Sequence, residues 1–304
     1  MAALAVYTTV YPGALPFLGP WYQSLQDQSD RDYDLWIGVD LIEPQEVEAA
    51  LGGQVTATWV KAKPGDSHAR IRQRAFEQIV ERHEAVVLVD SDDLLHPSRV
   101  AAARSSLEEY DLSGCTLQLI DETGRELGLT VGLTKGEEAD QVLPRHNVFG
   151  LSNVAFRSDL LRRCLPIPDE VVLVDWFLAT RAWLLGARFG FDPEVRMYYR
   201  QHGANTARMR PPFLEEQVIG DTRLVRDHFR ILIANLPEGA LSTRTRSLKQ
   251  VAADVELFYE RVAVRPVRLE QYVKALNALG TMSYWWATVA QPELSEMWNS
   301  EEPT

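Results

Sequence analysis

The sequence predicts an α/β fold in which helices flank a mostly parallel sheet. The first observation is that residues 1–110 alternate between strand-like and helix-like segments four times, as in a parallel sheet with helical crossovers. The second is that residues 85–90 form an apolar run ending in aspartate, as expected of a strand buried on both faces. The third is composition, because 304 residues with 46% hydrophobic and 24% charged side chains are ordinary for a globular chain with a large core.

The elements of the first 110 residues follow from local patterns. Residues 4–10 are rich in β-branched and aromatic side chains and precede the turn signal Pro12-Gly13, which predicts a strand. Residues 67–82 carry apolar side chains at helical spacing, and Pro97 suits the first turn of another helix. By the same criteria we expect strands at 4–10, 34–40, 55–60 and 85–90, and helices at 15–28, 43–51, 67–82 and 97–110.

From residue 111 onwards the pattern changes. Residues 114–120 and 127–133 flank a turn-forming segment and predict an antiparallel hairpin. Met209-Arg210-Pro211-Pro212 interrupts the pattern again, so we expect one domain over residues 1–206 and a helical region over 207–304. The remaining predicted elements are strands at 188–191 and 195–199, and helices at 158–165, 174–185, 213–235, 243–262 and 269–290, with a short apolar piece at 154–156 before the first of these helices.

Charge and cysteine content exclude some classes of function. With 31 Lys and Arg against 43 Asp and Glu, the formal net charge is −12, whereas nucleic-acid binders need a basic surface. Cys115 and Cys164 stand alone, which argues against a zinc site and fits a reducing compartment. Residues 1–10 form a strand pattern rather than a signal peptide, and no apolar stretch is long enough for a spanning helix. We therefore expect a cytoplasmic protein.

The strongest chemical signal is the acidic cluster Asp90-Ser91-Asp92-Asp93, directly after the apolar run. Ligands bind beyond the carboxyl ends of strands in parallel sheets, and carboxylates this close repel each other unless a cation lies among them. Mg²⁺ and Mn²⁺ prefer oxygen ligands and substrate phosphates, so the pattern favours a metal–phosphate site. Capping of the following helix would explain one of these acids. The Asp-x-Asp pattern also resembles haloacid-dehalogenase phosphatases, although Asp93-Leu94 departs from their motif.

Further motifs surround this cluster in a fixed order. They are residues 5–9, Pro16-Phe17-Leu18, Ser24-Leu25 with Gln28, residues 33–40, Ala69-Arg70, residues 88–93 with Pro97, Gly150-Leu151-Ser152-Asn153, Phe156-Arg157, Val174-Asp175-Trp176 with Gly186, and residues 199–203. Taken together, they resemble the family-2 glycosyltransferases over residues 4–206. The resemblance implies a GT-A fold, which is Rossmann-like, with a mostly parallel mixed sheet flanked by helices and here a C-terminal helical appendage.

The resemblance also implies a nucleotide site and a metal site. A carboxylate forms strong charge-assisted hydrogen bonds with a base or a ribose hydroxyl, and histidine can bind Mn²⁺. The divalent ion, Mn²⁺ or Mg²⁺, would be bound by Asp92 and Asp90, with His202 as a third ligand. The residues expected to hold the nucleotide are Thr8, Thr9, Tyr11, Asp40, Arg70 and Asp90, with Arg72 or Arg74 as further candidates for the diphosphate.

Asp175 matches the catalytic acid position of the family, at the start of the predicted helix 174–185. Many relatives carry Glu-Asp there, whereas this chain has Val174-Asp175. An inverting transfer needs one carboxylate that takes the proton of the acceptor hydroxyl, and the resemblance assigns that role to Asp175. Contacts with the sugar or the acceptor are expected from Ser152, Asn153, Trp176 and Arg200.

The implied function is transfer of a sugar from a nucleoside diphosphate sugar to a hydroxyl of a saccharide, glycolipid or small molecule. Two alternatives stay open, a sugar nucleotidyltransferase and a non-catalytic nucleotide-sugar-binding protein. Nucleotidyltransferases usually begin with a basic Gly-rich loop, and Pro12-Gly13-Ala14 has no nearby Lys or Arg. In the C-terminal region, Trp285-Trp286 predicts core packing or a contact in a homo-oligomer, with peripheral membrane contact as a third interpretation.

Overall fold

One sheet of nine strands runs through the part of the chain that the structure describes. In this computed structural model that part comprises residues 3–134, 136–202 and 209–300; the predicted boundary between 206 and 207 and the motif residue Gly203 lie outside it. The strands are β1 (Leu4–Val10), β2 (Tyr33–Val39), β3 (Thr58–Lys61), β4 (Ala85–Leu88), β5 (Leu94–Leu95), β6 (Leu112–Ile120), β7 (Glu126–Val131), β8 (Ala155–Arg157) and β9 (Phe189–Arg200).

Helices connect and flank these strands. None of the described helices is long and apolar enough to cross a membrane. They are α1 (Leu18–Gln26), α2 (Pro44–Ala50), α3 (His68–Arg82), α4 (Arg99–Glu109), α5 (Ala139–Val142), α6 (Ser158–Cys164), α7 (Val174–Leu184), α8 (Glu215–Ala234), α9 (Ser242–Phe258), α10 (Pro266–Leu279) and α11 (Glu296–Asn299). Short 3-10 turns at Pro12–Phe17 and Pro292–Leu294 and a π-helical segment at Tyr259–Ala263 adjoin them.

The strand order sets the position of every loop that follows. It is β3-β2-β1-β4-β8-β6-β9-β5, and β7 pairs with β6 beyond this path. Strands β3, β2, β1 and β4 are mutually parallel, β8 is antiparallel to both β4 and β6, and β6 is parallel to β9. Because parallel strands end at the same edge, the segments after β1, β2 and β4 lie side by side at the carboxyl edge. The expected α/β architecture is confirmed.

Local sequence explains the elements next to this edge. All four residues of β4 are buried, in keeping with its uninterrupted apolar sequence. Helix α3 begins after Ser67, whose hydroxyl accepts a hydrogen bond from the backbone N–H of Arg70 at 3.2 Å. The helix then buries its apolar stripe, which includes Ile71, Ala75 and Ile79, against the sheet.

Strand β9 differs from the sequence prediction. The two short strands expected at 188–191 and 195–199 are one continuous strand that pairs with β6. Its register shifts where Cys115 pairs with Asp192 and the next residue, Thr116, pairs with Val195, which leaves Pro193 outside the ladder. Proline cannot donate to a ladder and is therefore confined to edges and bulges. The sequence break at this proline is a bulge within the strand rather than the end of a strand.

The last long helix also differs from its prediction. It begins at Pro266, which suits a first turn, and ends at Leu279, well before the expected residue 290. Gly280 follows with a φ of 89°, a left-handed conformation that favours glycine after a helix. The chain then turns back towards the sheet, and Trp285 forms an isolated antiparallel bridge with Asn147.

Helices of the C-terminal region cover α7. Trp176 of α7 stacks on His228 of α8, with ring centroids 4.1 Å apart, and contacts Phe229 edge-on. Helix α9 packs on both α7 and α8. As a result, α7 is buried along almost its whole length, and only its first turn reaches the carboxyl edge of the sheet.

We expect Gln28→Ala to lower the free energy of unfolding by about 2 kcal/mol, because buried backbone groups lose their partners. The Gln28 amide donates to the carbonyl oxygens of Ser24 and His96 and accepts from the N–H of Val100. Denaturant unfolding measures the change. Gln23→Ala, at an exposed position of α1, which ends two residues before Gln28, is the control and is expected within about 0.5 kcal/mol of wild type. Equal stability of the two variants would contradict the prediction.

Candidate active site

A cavity of about 440 Å³ opens where β1, β2 and β4 end. This volume is typical of small-molecule sites. Its polar and charged lining comes from these strand ends, from α3, from the first turn of α7 and from the end of β9. The lining residues are Thr9, Tyr11, Asp40, His68, Arg72, Asp90, Ser91, Asp92, Leu151, Val172, Leu173, Val174, Asp175, Tyr199, His202, Trp285 and Trp286.

Hydrogen bonds fix the turn that carries the acidic cluster. The Ser91 hydroxyl donates to the carbonyl oxygen of Thr9 at 2.8 Å, which ties the turn to the end of β1. The backbone N–H of Asp90 donates to the Ser152 hydroxyl at 3.1 Å, and the N–H of Asp93 donates to the carbonyl of Asp90 at 3.3 Å. In this turn the side chains of Asp90 and Asp92 line the cavity, while Asp93 is buried behind them.

Asp93 serves the structure of the turn. One of its carboxylate oxygens accepts the backbone N–H of Arg200 at 2.7 Å, and the other accepts the Ser152 hydroxyl. Burial, together with the nearby charges of Asp92 and Asp90, holds the pKa of Asp93 well above its ordinary value. Its two bonds join the turn after β4 to the end of β9 and to the loop that carries Ser152.

Arg200 supports the same turn from behind. Its guanidinium donates to the carbonyl oxygens of Asp92 at 2.7 Å, Glu122 at 2.9 Å and Asp121 at 3.1 Å, and it lies over the Phe17 ring at 4.9 Å. The side chain is buried and does not line the cavity. The structure therefore does not bring the Arg200 guanidinium to the cavity, and backbone carbonyls accept hydrogen bonds from it instead.

Asp92 and His202 form the most suitable pair for a divalent ion. Nε2 of His202 lies 2.9 Å from Oδ2 of Asp92, and the imidazole stacks on Phe17 with ring centroids 5.2 Å apart. Asp90 lines the same cavity. Carboxylate oxygens and an imidazole nitrogen are suitable ligands for Mn²⁺, and carboxylates for Mg²⁺. Within residues 3–134, 136–202 and 209–300, no three His, Cys, Asp or Glu side chains already form a complete metal-binding group.

Concentrated negative charge perturbs the groups around this pair. Burial, followed by repulsion from Asp92, raises the pKa of Asp90 to about 7. Burial and the charges of Asp92 and Asp90 raise the pKa of Tyr11 to about 12. Arg72 is the one guanidinium or ammonium group among the described lining residues, and no acidic side chain of the described ranges lies within ion-pair distance of it. The cavity thus presents more negative than positive charge.

The ends of β1 and β2 add further polar groups to the cavity. Oδ2 of Asp40 lies 3.3 Å from Nδ1 of His68, and both side chains line the cavity together with Thr9 and Tyr11. Thr8 does not reach it, because alternate residues of a strand face opposite sides and Thr8 is buried. Arg70 does not reach it either, since its guanidinium lies at the surface and pairs with Asp169.

Asp175 lies in the first turn of α7 and lines the cavity. Nδ2 of Asn147 donates to Oδ2 of Asp175 at 2.9 Å. Burial raises the pKa of Asp175 to about 6, while the backbone N–H groups of Asp175 and Trp176, the charge of Arg72 and the Asn147 amide act in the opposite direction. A carboxyl group with this pKa is largely ionised at neutral pH and still a moderately strong base.

The structure does not bring Asn153 and Trp176 to the cavity. The Asn153 amide is buried and donates to the carbonyl oxygens of Cys115 at 2.8 Å and Val148 at 3.0 Å, so it holds its own loop together. Trp176 is buried in the α7–α8 interface described above. Ser152 contacts the acidic turn from behind and does not line the cavity itself.

Sequence reasoning missed several residues of the site, among them His68, Asn147, Trp285 and Trp286. Trp285 and Trp286 line the cavity, because the chain after Gly280 returns to the sheet instead of continuing as a helix. The glycine was the available signal for this return. Trp286 has a φ of 67°, an uncommon conformation for a bulky residue. Asn147 carries no motif in the sequence, and only the fold reveals its contact with Asp175.

Comparisons with known proteins agree with this architecture. No protein-family model matches the sequence, and no curated protein matches it. Among solved structures, residues 1–349 of S. aureus TarS in complex with UDP-GlcNAc superpose with a TM-score of 0.58 at 16% identity, covering 84% of this chain and 72% of that one. The fold is a GT-A fold. The mannosyltransferase PcManGT from Pyrobaculum calidifontis, in complex with GDP-Man and Mn²⁺, gives a TM-score of 0.55 at 14% identity, covering 99% and 88%.

We expect Arg200→Lys to lower the free energy of unfolding by about 2 kcal/mol, because an ammonium group cannot bond all three carbonyls that the planar guanidinium reaches. Thermal and denaturant unfolding measure the loss. Arg230→Lys is the control, since Arg230 lies on the surface of α8 and pairs with Asp227 there, and it is expected to change stability by less than about 0.5 kcal/mol. A wild-type unfolding curve for Arg200→Lys would contradict the assignment.

Proposed function

We propose that this protein is a metal-dependent, inverting glycosyltransferase that moves a sugar from a nucleoside diphosphate sugar to an acceptor hydroxyl. The observation that carries the proposal is that the Asp92–His202 pair and the carboxylate of Asp175, whose pKa is raised to about 6, line the same cavity. The fold adds support, because structures of the same fold were solved with UDP-GlcNAc and with GDP-Man and Mn²⁺. Assignment to family 2 rests on the sequence motifs.

Charge in the cavity supports a divalent ion as part of the donor site. A diphosphate would be repelled by Asp90 and Asp92, and Arg72 alone offsets little of that charge. Mn²⁺ or Mg²⁺ bound by Asp92 and His202, with Asp90 beside them, would use phosphate oxygens for its remaining coordination positions. When bound, such an ion neutralises the negative charge that develops on the departing diphosphate.

The remaining contacts of the donor follow from where each group lines the cavity. Asp40, His68, Thr9 and Tyr11 offer acceptors and donors for a base and a ribose at the strand ends. Arg72 replaces Arg70 as the cation for the diphosphate, because Arg72 faces the cavity and Arg70 does not.

Asp175 is the proposed general base. In an inverting transfer the acceptor oxygen forms a bond with the anomeric carbon while the bond to the diphosphate breaks, and the acceptor proton goes to a carboxylate. One carboxylate suffices for this step. Asp175 can therefore act alone in a cavity where Asp90 and Asp92 are proposed to bind the metal ion of the donor site. The class of acceptor and the cytoplasmic location stay predictions from the sequence.

We expect Asp92→Ala to abolish metal-dependent binding of nucleoside diphosphates, because the ion loses a charged ligand next to His202. Calorimetric titrations of UDP and GDP, with and without Mn²⁺, test this directly. The control is Asp159→Ala, an exposed acid of α6 that pairs only with Arg162 among the described residues. Metal-dependent binding of wild-type strength in Asp92→Ala would refute the metal site.

Asp175→Asn should lower kcat by roughly 10²- to 10⁴-fold while donor affinity stays within about twofold, because the amide cannot accept the proton. In wild type the base is the ionised form, so kcat/KM, measured at a saturating divalent ion that keeps Asp90 ionised, should fall as the pH drops through about 6. Release of nucleoside diphosphate, followed with the donor that stabilises the protein most in a thermal-shift screen, measures both effects. Normal turnover in Asp175→Asn would exclude Asp175 as the base.

A further inference from the structure

We propose that Asn147 is a positioning residue that holds the Asp175 carboxylate in its reactive orientation, and that the backbone of Trp285 holds Asn147 in turn. This proposal rests on the proposed function, in which Asp175 accepts a proton. Neither Asn147 nor the bridge to Trp285 belongs to the sequence motifs of the donor site.

The Asn147 side chain has one orientation that satisfies its neighbours. Its Nδ2 donates to Oδ2 of Asp175 at 2.9 Å, and its Oδ1 accepts the backbone N–H of Phe149 at 3.0 Å. A flipped amide would place oxygen against the carboxylate and N–H against N–H, so both bonds would be lost. Because Asn147 is fully buried, water cannot replace either partner.

The backbone of Asn147 is fixed just as firmly. Its carbonyl accepts the N–H of Trp285 at 3.1 Å, and its own N–H donates to the carbonyl of Trp285 at 3.4 Å. Gly150 leaves room for this arrangement, because an added Cβ there would lie 3.0 Å from the Trp285 ring. The ring also contacts Tyr199 edge-on at 5.7 Å and lines the cavity. The segment after α10 is therefore connected to Asp175 through Asn147, which pairs with the Trp285 backbone and donates to the carboxylate.

Several groups act on the Asp175 carboxylate, and Asn147 makes a contribution that the others do not. The first turn of α7 contributes backbone N–H groups, α3 contributes the charge of Arg72, and the turn after β4 contributes the opposing charge of Asp90. Asn147 contributes the side-chain hydrogen bond, and it comes from a different element than the carboxylate it contacts. A hydrogen bond to Oδ2 of Asp175 restricts rotation of the whole carboxylate. The lone pairs that do not take part in this bond therefore keep one orientation relative to the cavity.

The central experiment compares Asn147→Ala with wild type in the full-length protein. Loss of the amide should lower kcat at least about tenfold and leave the donor dissociation constant within about twofold. It should also move the acidic limb of the kcat/KM profile upwards by about half a pH unit or more, because the amide N–H stabilises the ionised carboxylate. Asn277→Ala is the matched control, since among the described residues the Asn277 amide bonds only the backbone of Phe213 and Val273, and none of these three residues lines the cavity.

A second variant keeps the test decisive if Asn147→Ala fails to fold. Gly150→Ala displaces the Trp285 ring while the Asn147 amide stays present, and the same changes in kcat and in the acidic limb are expected at smaller size. An unchanged pH profile and kcat in the folded Asn147→Ala variant, or in Gly150→Ala if only that variant folds, would overturn the proposal. So would an increase in the donor KM with kcat unchanged.

The outcome also separates this proposal from the proposed function. If Asp175→Asn loses turnover while Asn147→Ala keeps wild-type kcat and pH profile, only the positioning role fails. If Asp175→Asn keeps normal turnover, the assignment of the base fails, and the positioning role fails with it.

Discussion

The arrangement of the site depends on a buried carboxylate that points away from it. Asp93 accepts hydrogen bonds from the Arg200 backbone and from Ser152, and these bonds hold the turn after β4 in the shape that brings Asp90 and Asp92 to the cavity. Arg200 completes the support through the carbonyl of Asp92. Without this support, repulsion among three adjacent carboxylates would favour an open turn in which the acids separate. Preorganisation of the negative charge is therefore a property of the sheet and of β9 rather than of the turn alone.

Sequence patterns predicted the parts of this protein that are determined locally. The alternation of strands and helices up to residue 110 and the hairpin of β6 and β7 follow from propensity and periodicity, and the structure has them at nearly the expected positions. The candidate residues at the strand ends, Thr9, Asp40, Asp90 and Asp92, line one cavity for the same reason, because the carboxyl ends of parallel strands meet at one edge. Their chemical roles remain proposals, as does the division of the chain into two domains.

What the sequence could not provide depends on contacts between distant elements. The choice between Arg70 and Arg72 depends on how α3 rotates against the sheet, and a helix with guanidinium groups at 70, 72 and 74 gives no clue. Tryptophan is a residue type that stacks on sugars, yet Trp176 is covered by α8. The backbone bridge between Asn147 and Trp285 brings Asn147 and the two tryptophans after Gly280 to the site. The two segments are far apart in the sequence, so no local pattern encodes this pairing.

The return of the chain after α10 bears on the order in which the cavity is completed during synthesis. Every strand of the described sheet ends before residue 201, so we would expect the strand-end side of the cavity to form while the C-terminal helices are still being translated. The backbone partner of Asn147 leaves the ribosome only later, together with the tryptophans that line the cavity. We would expect a nascent chain to form the cavity at the strand ends first and the Asn147–Trp285 bridge last, which would delay the proposed transfer until the C-terminal segment has docked.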